Sequence, residues 1–458
     1  MPCCHEAAWW GKGLAPSIFN HSNRFRLLFK KGDGTEFSNY RPISFLNSFS
    51  KIIEIIIYKR LYCHLHDNNI LVNDQYGFRE KLSNETATNT LLNNVLSSLD
   101  KKNPARGLFC DLQKVFDCIN HEILLAKMEF YWISGIANKL MRSYLENKYQ
   151  RISMKDSKPN KLSSKWEHVK HGIPQGSISG PLLFLTYIND LSLSISKLAN
   201  PIIFVDDTSI IISNTNSEEF KNNINSVMTE IINWFQSNLL TLICNKTHFL
   251  QFLTKKQNEI KIQIIAPNSV ITNINSTKFL GLIINNTLSW KDHIAALTSK
   301  LNKTCHAIRE IKPFMSLDAF RMIYFSYVHS VMSYGIIFWG NSHYSNSIFK
   351  IKKIIIRIIT NTRSCDSCHQ LYKQLKILSL PSHYIFSLLV FVNKNRKLFL
   401  SNSEIHDMNT RFNYNFHLPP TNLTLVQKGV LYSGSKFYNH LPLNIKILSN
   451  DAKRFKST

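Results

Sequence analysis

The most constraining stretch of this chain is PIIFVDDTSIII at residues 201–212, where two adjacent aspartates separate two apolar runs. Runs rich in Ile and Val with polar boundaries are typical of strands, so the stretch predicts a hairpin with Asp206 and Asp207 at its tip. Asp is a common turn residue, and a simple polar turn is one interpretation. Adjacent carboxylates repel each other unless a cation neutralises them, so a metal site with a third acid is the other.

A third acid, Asp111, ends the strand-like segment RGLFCDL. The helix and loop that separate it from Asp206 are long enough to bring both strands into one sheet. Carboxylate oxygens are preferred ligands of hard divalent cations such as Mg²⁺, which also retain phosphate and water as ligands. Two ions held about 4 Å apart activate an attacking oxygen and stabilise a leaving one. The three acids therefore indicate a polymerase or a nuclease.

Charge points to the kind of partner. The chain has 458 residues, of which 44% are apolar, so it is predicted to bury a large core divided among several packed units. Lys and Arg number 55 against 30 acids, and the net charge of +25 favours a polyanionic partner such as nucleic acid or an anionic membrane. Since no apolar stretch of about 18 residues and no signal peptide is present, a membrane is the less favoured partner.

Nine cysteines at irregular spacing, without a secretion signal, predict reduced thiols in an intracellular protein. The segment CDSCH places Cys365, Cys368 and His369 at the spacing of half a zinc site, and it also matches the short haem-attachment pattern. A complete zinc site would need a second half, for which Cys3, Cys4 and His5 are candidates. Incidental cysteines are the favoured interpretation.

Periodicity predicts the remaining elements. Residues 48 to 70 and the segment HEILLAKMEFYWISGIANKLMRSYLEN are each predicted as one helix. Apolar residues recur every three or four positions at Phe220, Ile224, Val227, Ile231 and Trp234, which indicates an amphipathic helix. Strand-like pieces follow, and the chain from about 290 onward is predicted to be mostly helical.

Seven sequence blocks occur in a specific order along the chain: NYRPIS (39–44), QYGFR (75–79), FCDLQKVFDCINHEIL (109–124), GIPQGSISGPLLFLTYINDL (172–191), FVDDT (204–208), NKTHFLQF (245–252) and FLGLIINNTLSWKDHI (279–294). Their order and spelling resemble the reverse transcriptases of non-LTR retrotransposons, especially the jockey-type elements of animals. The resemblance is strong from about residue 25 to residue 295. Less specific similarity continues through SYGIIFWGN, IIRIITNTR and NTRFNYNFHLP.

The resemblance implies an α/β (α+β) right-hand polymerase with fingers, a palm built on an antiparallel sheet, a helical thumb and a C-terminal helical region. The implied ranges are 1–24 for an N-terminal remnant of an upstream region, 25–104 for the fingers, 105–285 for the palm, 286–375 for the thumb and 376–458 for a C-terminal region without an assigned role. Jockey-type elements have an endonuclease domain upstream, so a fragment of a longer polyprotein is expected.

The resemblance also implies residue roles. Asp111, Asp206 and Asp207 would bind two Mg²⁺ ions, with Mn²⁺ as an alternative. Phe116 would lie under the sugar of the incoming nucleotide and exclude a 2′-OH, although an ordinary core aromatic is its alternative. Gly172, Pro174, Gln175 and Gly176 would form the loop that holds the templating base and the nucleotide; a plain turn is the alternative.

Basic residues complete the implied site. Arg41 and Arg79, with Lys30 or Lys31, would bind the triphosphate, and Lys246 would protonate the pyrophosphate leaving group. Solvated surface charge is the alternative for the arginines. Lys350, Lys353 and Arg357 form a stripe at near-helical spacing that is either a solvated face or a thumb surface along the duplex.

The implied partners are an RNA template, a DNA primer, deoxynucleoside triphosphates and the element's own RNA, without a membrane. The implied location is a cytoplasmic ribonucleoprotein, and the nucleus during integration. Val115, Val205, Ile243 and Asn285 depart from the usual family residues, although no predicted metal ligand is lost. An inactive relic that only binds nucleic acid is therefore the alternative. A telomerase-like or RNA-copying RNA polymerase is disfavoured by Phe116 and by the NYRPIS and FLGL blocks.

Overall fold

The structure is a computed structural model that describes residues 23–30, 32–36, 39–45, 48–112, 115–146, 149–155, 161–213, 217–254, 264–266, 269–406, 415–448 and 451–457. Its strands are β1 (Asn23–Phe29), β2 (Tyr40–Phe45), β3 (Ala105–Cys110), β4 (Tyr149–Lys155), β5 (Lys161–Ser163), β6 (Glu167–His168), β7 (Asn200–Phe204), β8 (Asp207–Ser213), β9 (His248–Phe252), β10 (Ile264–Ala266), β11 (Ser269–Ile271), β12 (Ser276–Phe279) and β13 (Leu282–Asn285).

Helices make up most of the remainder. They are α1 (Ser48–Asp67), α2 (Asn84–Asp100), α3 (Val115–Cys118), α4 (His121–Phe130), α5 (Gly135–Leu145), α6 (Gly180–Ile188), α7 (Leu191–Ile195), α8 (Ser217–Ser237), α9 (Lys291–Ile311), α10 (Leu317–Ile323), α11 (Ser330–Ser333), α12 (Ile336–Trp339), α13 (Ser345–Thr360), α14 (Cys368–Gln374), α15 (Leu380–Lys394), α16 (Asn402–Ile405), α17 (Thr424–Gln427), α18 (Val430–Asn439), α19 (Leu443–Ile447) and α20 (Ala452–Ser457).

The central sheet has the order β7-β8-β3-β9, and each neighbouring pair is antiparallel. Both of its faces are covered, because side chains that alternate along a strand pack into two different cores. On β3, Phe109 joins a core with α2 and the C-terminal helices, whereas Leu108 and Cys110 join a core with α4, α6 and α8. This explains why β3 is buried along its whole length. The antiparallel sheet predicted for the palm is confirmed.

A second sheet has the order β2-β1-β4-β5, with β6 paired to β4. Strand β1 runs antiparallel to β2 and parallel to β4. Strands β4 to β6 lie within the range predicted as palm, whereas β1 and β2 lie within the range predicted as fingers. The chain therefore leaves this second sheet after β2, forms β3 in the central sheet and returns to the second sheet with β4. The domain boundaries themselves stay predictions.

The prediction of one continuous helix across residues 121–147 is wrong. Two helices, α4 and α5, occupy this segment and are separated at Trp132 and Gly135, whose φ angles are 62° and 62°. Left-handed backbone interrupts the helical hydrogen-bond ladder. The side-chain amide of Asn138 donates to the carbonyl oxygens of Leu125 and Ile133, each at 3.1 Å, and satisfies backbone acceptors at the break.

The amphipathic helix predicted around residues 220–234 is confirmed as α8, and its five periodic apolar residues are all buried. The predicted helical tail is also confirmed. Helices α9, α13 and α15 share one core with α2 and the central sheet. Inside this core the ammonium of Lys352 is fully buried and donates to the carbonyl oxygen of Leu378 at 2.7 Å. In the part of the chain described here, no helix combines the length and apolar character needed to cross a bilayer.

Candidate active site

Three carboxylates meet at one edge of the central sheet. The predicted hairpin is confirmed: β7 and β8 pair through Phe204 and Asp207, and Val205 and Asp206 form the two-residue turn. Cys110 pairs with Thr208, so the end of β3 lies beside the start of β8. Asp111 directly follows β3 and therefore lies next to the acid pair, as the sequence predicted.

The acids affect one another electrostatically. Loss of solvation, together with the charges of Asp206 and Asp111, raises the pKa of Asp207 to about 6. Loss of solvation also raises the pKa of Asp206, and Asp111 adds to the shift while Arg41 opposes it. Lys278 on β12 opposes the shift at Asp207. The sheet edge thus concentrates negative charge, with Arg41 and Lys278 close enough to offset part of it.

Lys246 lies at this edge too. Its ammonium is 3.2 Å from the Asp111 carboxylate, and its side chain is 63% exposed. A short 3-10 helix at Cys244–Lys246 holds it there, because the Ile243 amide donates to the Asp111 carbonyl oxygen at 2.9 Å. An exposed ion pair of this kind is weak and easily exchanged for another partner. Lys246 is therefore free to exchange Asp111 for another partner, while its role as a proton donor stays a prediction.

The donor set suits a hard divalent cation, because all three predicted ligands offer carboxylate oxygens and their mutual repulsion would be relieved by positive charge. As the side chains stand, no group of three or more His, Cys, Asp or Glu residues within the described ranges is arranged around a metal position.

The zinc interpretation of CDSCH gains no support. Cys368 is buried in the core that contains α9, α13 and α15, whereas Cys365 is exposed. Cys3, Cys4 and His5, the proposed second half of the site, lie outside the described residues. The buried thiol of Cys368 lies 3.9 Å from the Lys353 carbonyl oxygen, so it packs as part of α14 against α13. This contact agrees with the favoured interpretation of incidental cysteines.

The segment 172–180, called the 172–180 loop below, packs against α3, whose single helical turn contains Phe116 and is called the Phe116 turn below. The Ile173 amide donates to the Phe116 carbonyl oxygen at 2.7 Å, and the Gln175 side-chain amide donates to the Asp117 carboxylate at 2.9 Å. Gly172 has a φ of +87°, and a Cβ there would lie 2.9 Å from the Asp117 carbonyl oxygen. Only glycine fits this close approach.

Phe116 itself is partly exposed. Its ring lies 4.9 Å from the buried ring of Phe184 on α6, and the two planes are tilted by 32°. One face of the ring is therefore supported by the palm core while part of it reaches solvent beside Asp117. A ring so placed can serve as a rigid wall for a bound group, which is compatible with the predicted sugar contact.

The predicted phosphate-binding residues differ in their exposure and in their partners. Arg41 is exposed on β2, and its charge acts on Asp206. Arg79 is half-buried, and its guanidinium donates to the carbonyl oxygens of Val72 and Gln75 within its own segment. Lys31 lies outside the described residues, and Lys30 is exposed. Arg41 thus lies near the acids, whereas Arg79 forms part of the local support; their phosphate roles stay predictions.

The stripe predicted at Lys350, Lys353 and Arg357 lies on α13. Arg357 donates through two nitrogens to the Asp366 carbonyl oxygen, at 2.8 and 3.1 Å. The Lys353 ammonium lies 4.2 Å from the centre of the Phe349 ring. Arg357 therefore holds the loop after α13, and Lys350 is the exposed member of the stripe.

Gln75 supports the turn at Val205 and Asp206, which is called the acid turn below. This role was not predicted from the sequence. It is buried, and its side-chain oxygen accepts from the Val205 amide at 3.2 Å and from the Gly77 amide at 2.9 Å. Val205 has a φ of 59°, a strained conformation for a β-branched residue, and this hydrogen bond helps to hold it. The QYGFR block was the available signal, but only its arginine received a role.

For the polymerase activity that the sequence resemblance implies, Gly77→Ala is expected to lower the rate by roughly a hundredfold, the loss that a 1 Å misplacement of reacting groups can cause. A Cβ at residue 77 would lie 2.4 Å from Val205 Cγ2 and 2.7 Å from the Val205 amide nitrogen, so the acid turn must move. Primer extension rates measure the effect. Gly34→Ala is the matched control, because its Cβ would meet only the Tyr40 hydroxyl at 3.7 Å. Unchanged activity in folded Gly77→Ala protein would contradict the proposed support.

An antiparallel sheet with an acid-bearing hairpin beside a third acid defines the palm of a right-hand polymerase. Residues 29–284 match the family model for reverse transcriptase (RNA-dependent DNA polymerase), which is more than half of the chain. The chain belongs to the reverse transcriptase family. The family resemblance inferred from the sequence blocks and the predicted fold class are thereby confirmed.

Curated relatives agree. A probable RNA-directed DNA polymerase from transposon BS of Drosophila melanogaster is 27% identical over 317 residues, covering 67% of this chain and 34% of the relative. The RNA-directed DNA polymerase from mobile element jockey of Drosophila funebris is 23% identical over 265 residues, covering 57% of this chain and 28% of the relative. The chain thus spans about a third of the length of these relatives. A telomerase structure from Candida albicans is also similar, at a TM-score of 0.45 and 11% identity, covering 80% of this chain and 66% of that one.

Proposed function

We propose that this chain is the polymerase portion of a non-LTR retrotransposon protein, and that it extends a DNA primer on an RNA template with deoxynucleoside triphosphates. The observation that supports this best is the meeting of Asp111, Asp206 and Asp207 at one sheet edge, next to the Phe116 turn and the 172–180 loop. A nucleotide bound there would have acids on one side and an aromatic wall on the other.

Within this proposal, Asp111, Asp206 and Asp207 would hold Mg²⁺ or Mn²⁺. Bound ions would activate the attacking oxygen and stabilise the leaving one. Arg41, Lys246 and Lys278 are the cations whose charge acts on these acids, so they are placed to attract the phosphates of an incoming nucleotide. Positive groups arranged in advance lower the energy of the charge that develops during phosphoryl transfer.

The partners follow from the charge and the family. A net charge of +25 supports binding to the phosphates of an RNA template, a DNA primer and the element's own RNA. The proposal includes a cytoplasmic ribonucleoprotein and a nuclear stage during integration, which is when a retrotransposon copy would be made. The zinc and haem interpretations of CDSCH are not included.

Primer extension on an RNA template with Mg²⁺ tests the proposal. We expect templated incorporation of deoxynucleotides and little incorporation of ribonucleotides. Binding of primer–template without any extension, in Mg²⁺ or Mn²⁺, would instead support an inactive relic that only binds nucleic acid. Equal use of ribonucleotides would favour an RNA-copying RNA polymerase and contradict the proposal.

A further inference from the structure

Glu54 is a buried carboxylate on α1 whose partners lie far away in the chain. Only 1% of the residue is exposed. One carboxylate oxygen accepts from the Tyr144 hydroxyl at 2.6 Å, and the other accepts from the Ile178 amide at 2.7 Å. Among the described residues, no Lys or Arg forms an ion pair with it. Glu54 therefore depends on two hydrogen bonds for its stability inside the protein.

Such a residue is unfavourable for stability alone. A buried carboxylate loses its hydration, and hydrogen bonds to neutral donors recover only part of that loss. Apolar residues would fill the same space more favourably, as Ile57 and Leu61 do elsewhere on the buried face of α1. This suggests that the carboxylate is there because of what it binds.

What Glu54 binds is the 172–180 loop. Besides the Ile178 amide, the Ser179 hydroxyl donates to the Glu54 carbonyl oxygen at 3.3 Å. The opposite end of the same loop contacts Phe116 and Asp117 through Ile173 and Gln175. A continuous series of direct contacts thus leads from α1 through the loop to the Phe116 turn.

A second finger element contacts this loop close to its exposed tip. The Ser44 amide on β2 donates to the Gln175 carbonyl oxygen at 2.8 Å, and a Cβ at Gly176 would lie 3.1 Å from the Ser44 carbonyl oxygen. Strand β2 also contains Arg41, whose charge acts on Asp206. Glu54 and Ser44 together fix the loop to the fingers, and of the two only Glu54 acts through a side chain.

We propose that Glu54 is a positioning residue for nucleotide selection, because it fixes the 172–180 loop to α1 and thereby sets the distance between Gln175 and the Phe116 turn. This inference rests on the proposed polymerase function. A loose loop would let a nucleotide shift relative to Phe116 and weaken discrimination against ribonucleotides, without touching the metal-binding acids.

Glu54→Gln is the main test, because glutamine has the same shape but only one side-chain oxygen to accept from two donors. We expect kcat/KM for deoxynucleotides to fall roughly tenfold, the size expected for one lost hydrogen bond to a charged group. The fall should come mainly from KM, and preference for deoxynucleotides over ribonucleotides should also weaken. A purely structural role would lower the active fraction and leave KM and this preference unchanged.

Glu122→Gln is the matched control, since Glu122 is an exposed carboxylate on α4 that accepts from Arg142 and, among the described residues, forms no side-chain hydrogen bond with the 172–180 loop. Its kinetics should equal those of the wild type. If Glu54→Gln leaves both KM and nucleotide preference at wild-type values, the proposal is overturned.

Hydrogen exchange of residues 172–180 separates this inference from the polymerase proposal. We expect faster exchange in Glu54→Gln than in the wild type, even if the wild type does not extend primers. Tyr144→Phe removes one donor to Glu54 and retains the carboxylate, so it should accelerate hydrogen exchange less than Glu54→Gln does. It replaces Glu54→Gln in the test if that variant does not fold. Wild-type exchange in the folded variants would overturn the positioning role, whereas absence of extension by the wild type would overturn only the polymerase function.

Discussion

Asp111→Asn and Asp206→Asn are each expected to reduce primer extension by more than about a hundredfold, because even loss of a residue that only supports a metal ligand costs roughly 10- to 100-fold. Primer–template affinity should change little, since it depends mainly on many Lys and Arg contacts to phosphate. Single-turnover extension and equilibrium binding, measured on the same preparations, give the two quantities.

Asp67→Asn is the control for these variants. Asp67 is at the end of α1, its side chain is 74% exposed, and among the described residues its carboxylate forms an ion pair only with the neighbouring His66. The same chemical change there should leave extension and binding unchanged. Extension at the wild-type rate by either Asp111→Asn or Asp206→Asn would show that the sheet-edge acids are not the catalytic ligands.

Phe116→Val is expected to raise ribonucleotide incorporation relative to deoxynucleotide incorporation by up to about a hundredfold. This is the gain expected if the wild-type ring displaces a ribose by about 1 Å, a misplacement that the variant would relieve. The ring is partly exposed and supported from behind by Phe184, so its removal opens space on the solvent side of the site. The ratio of kcat/KM values for the two nucleotide types, in Mg²⁺, measures the change.

Truncating an aromatic residue also destabilises a fold, commonly by about 3–5 kcal/mol when the residue is fully buried. Phe235→Val controls for this, because Phe235 is a buried phenylalanine of α8 in the core against which Phe116 packs. It should lower the thermal unfolding temperature while leaving the nucleotide ratio unchanged. If both variants leave the ratio unchanged, Phe116 is an ordinary core residue.

Several site features were predictable because their signals are local. Two apolar runs around Asp206 and Asp207 are sufficient to predict a hairpin, and the run before Asp111 predicts a strand that ends at an acid. The order of the blocks then predicts that these acids meet. The break between α4 and α5 was missed because the apolar period continues through Phe130 and Trp132, although both side chains are exposed in the structure.

The supporting residues were not predictable in the same way. Gln75 and Glu54 are polar residues of a kind that is usually exposed, and nothing adjacent to them in sequence marks them as buried. Their partners lie far along the chain: Gln75 and Val205 are 130 positions apart, and Glu54 and Ile178 are 124 positions apart. Lys278 and Asp117 were likewise recognisable only once the strands and the loop had been brought together.

By itself, the sequence determined the family, the antiparallel palm, the acid-bearing hairpin and the helical tail, because each depends on the identity and period of neighbouring residues. Tertiary structure alone decided which buried side chains hold the site in shape: Gln75 at the acid turn and Glu54 at the 172–180 loop. The physical reason is that a hydrogen bond or ion pair requires two groups within about 3–4 Å, and that distance is fixed by the packing of whole elements.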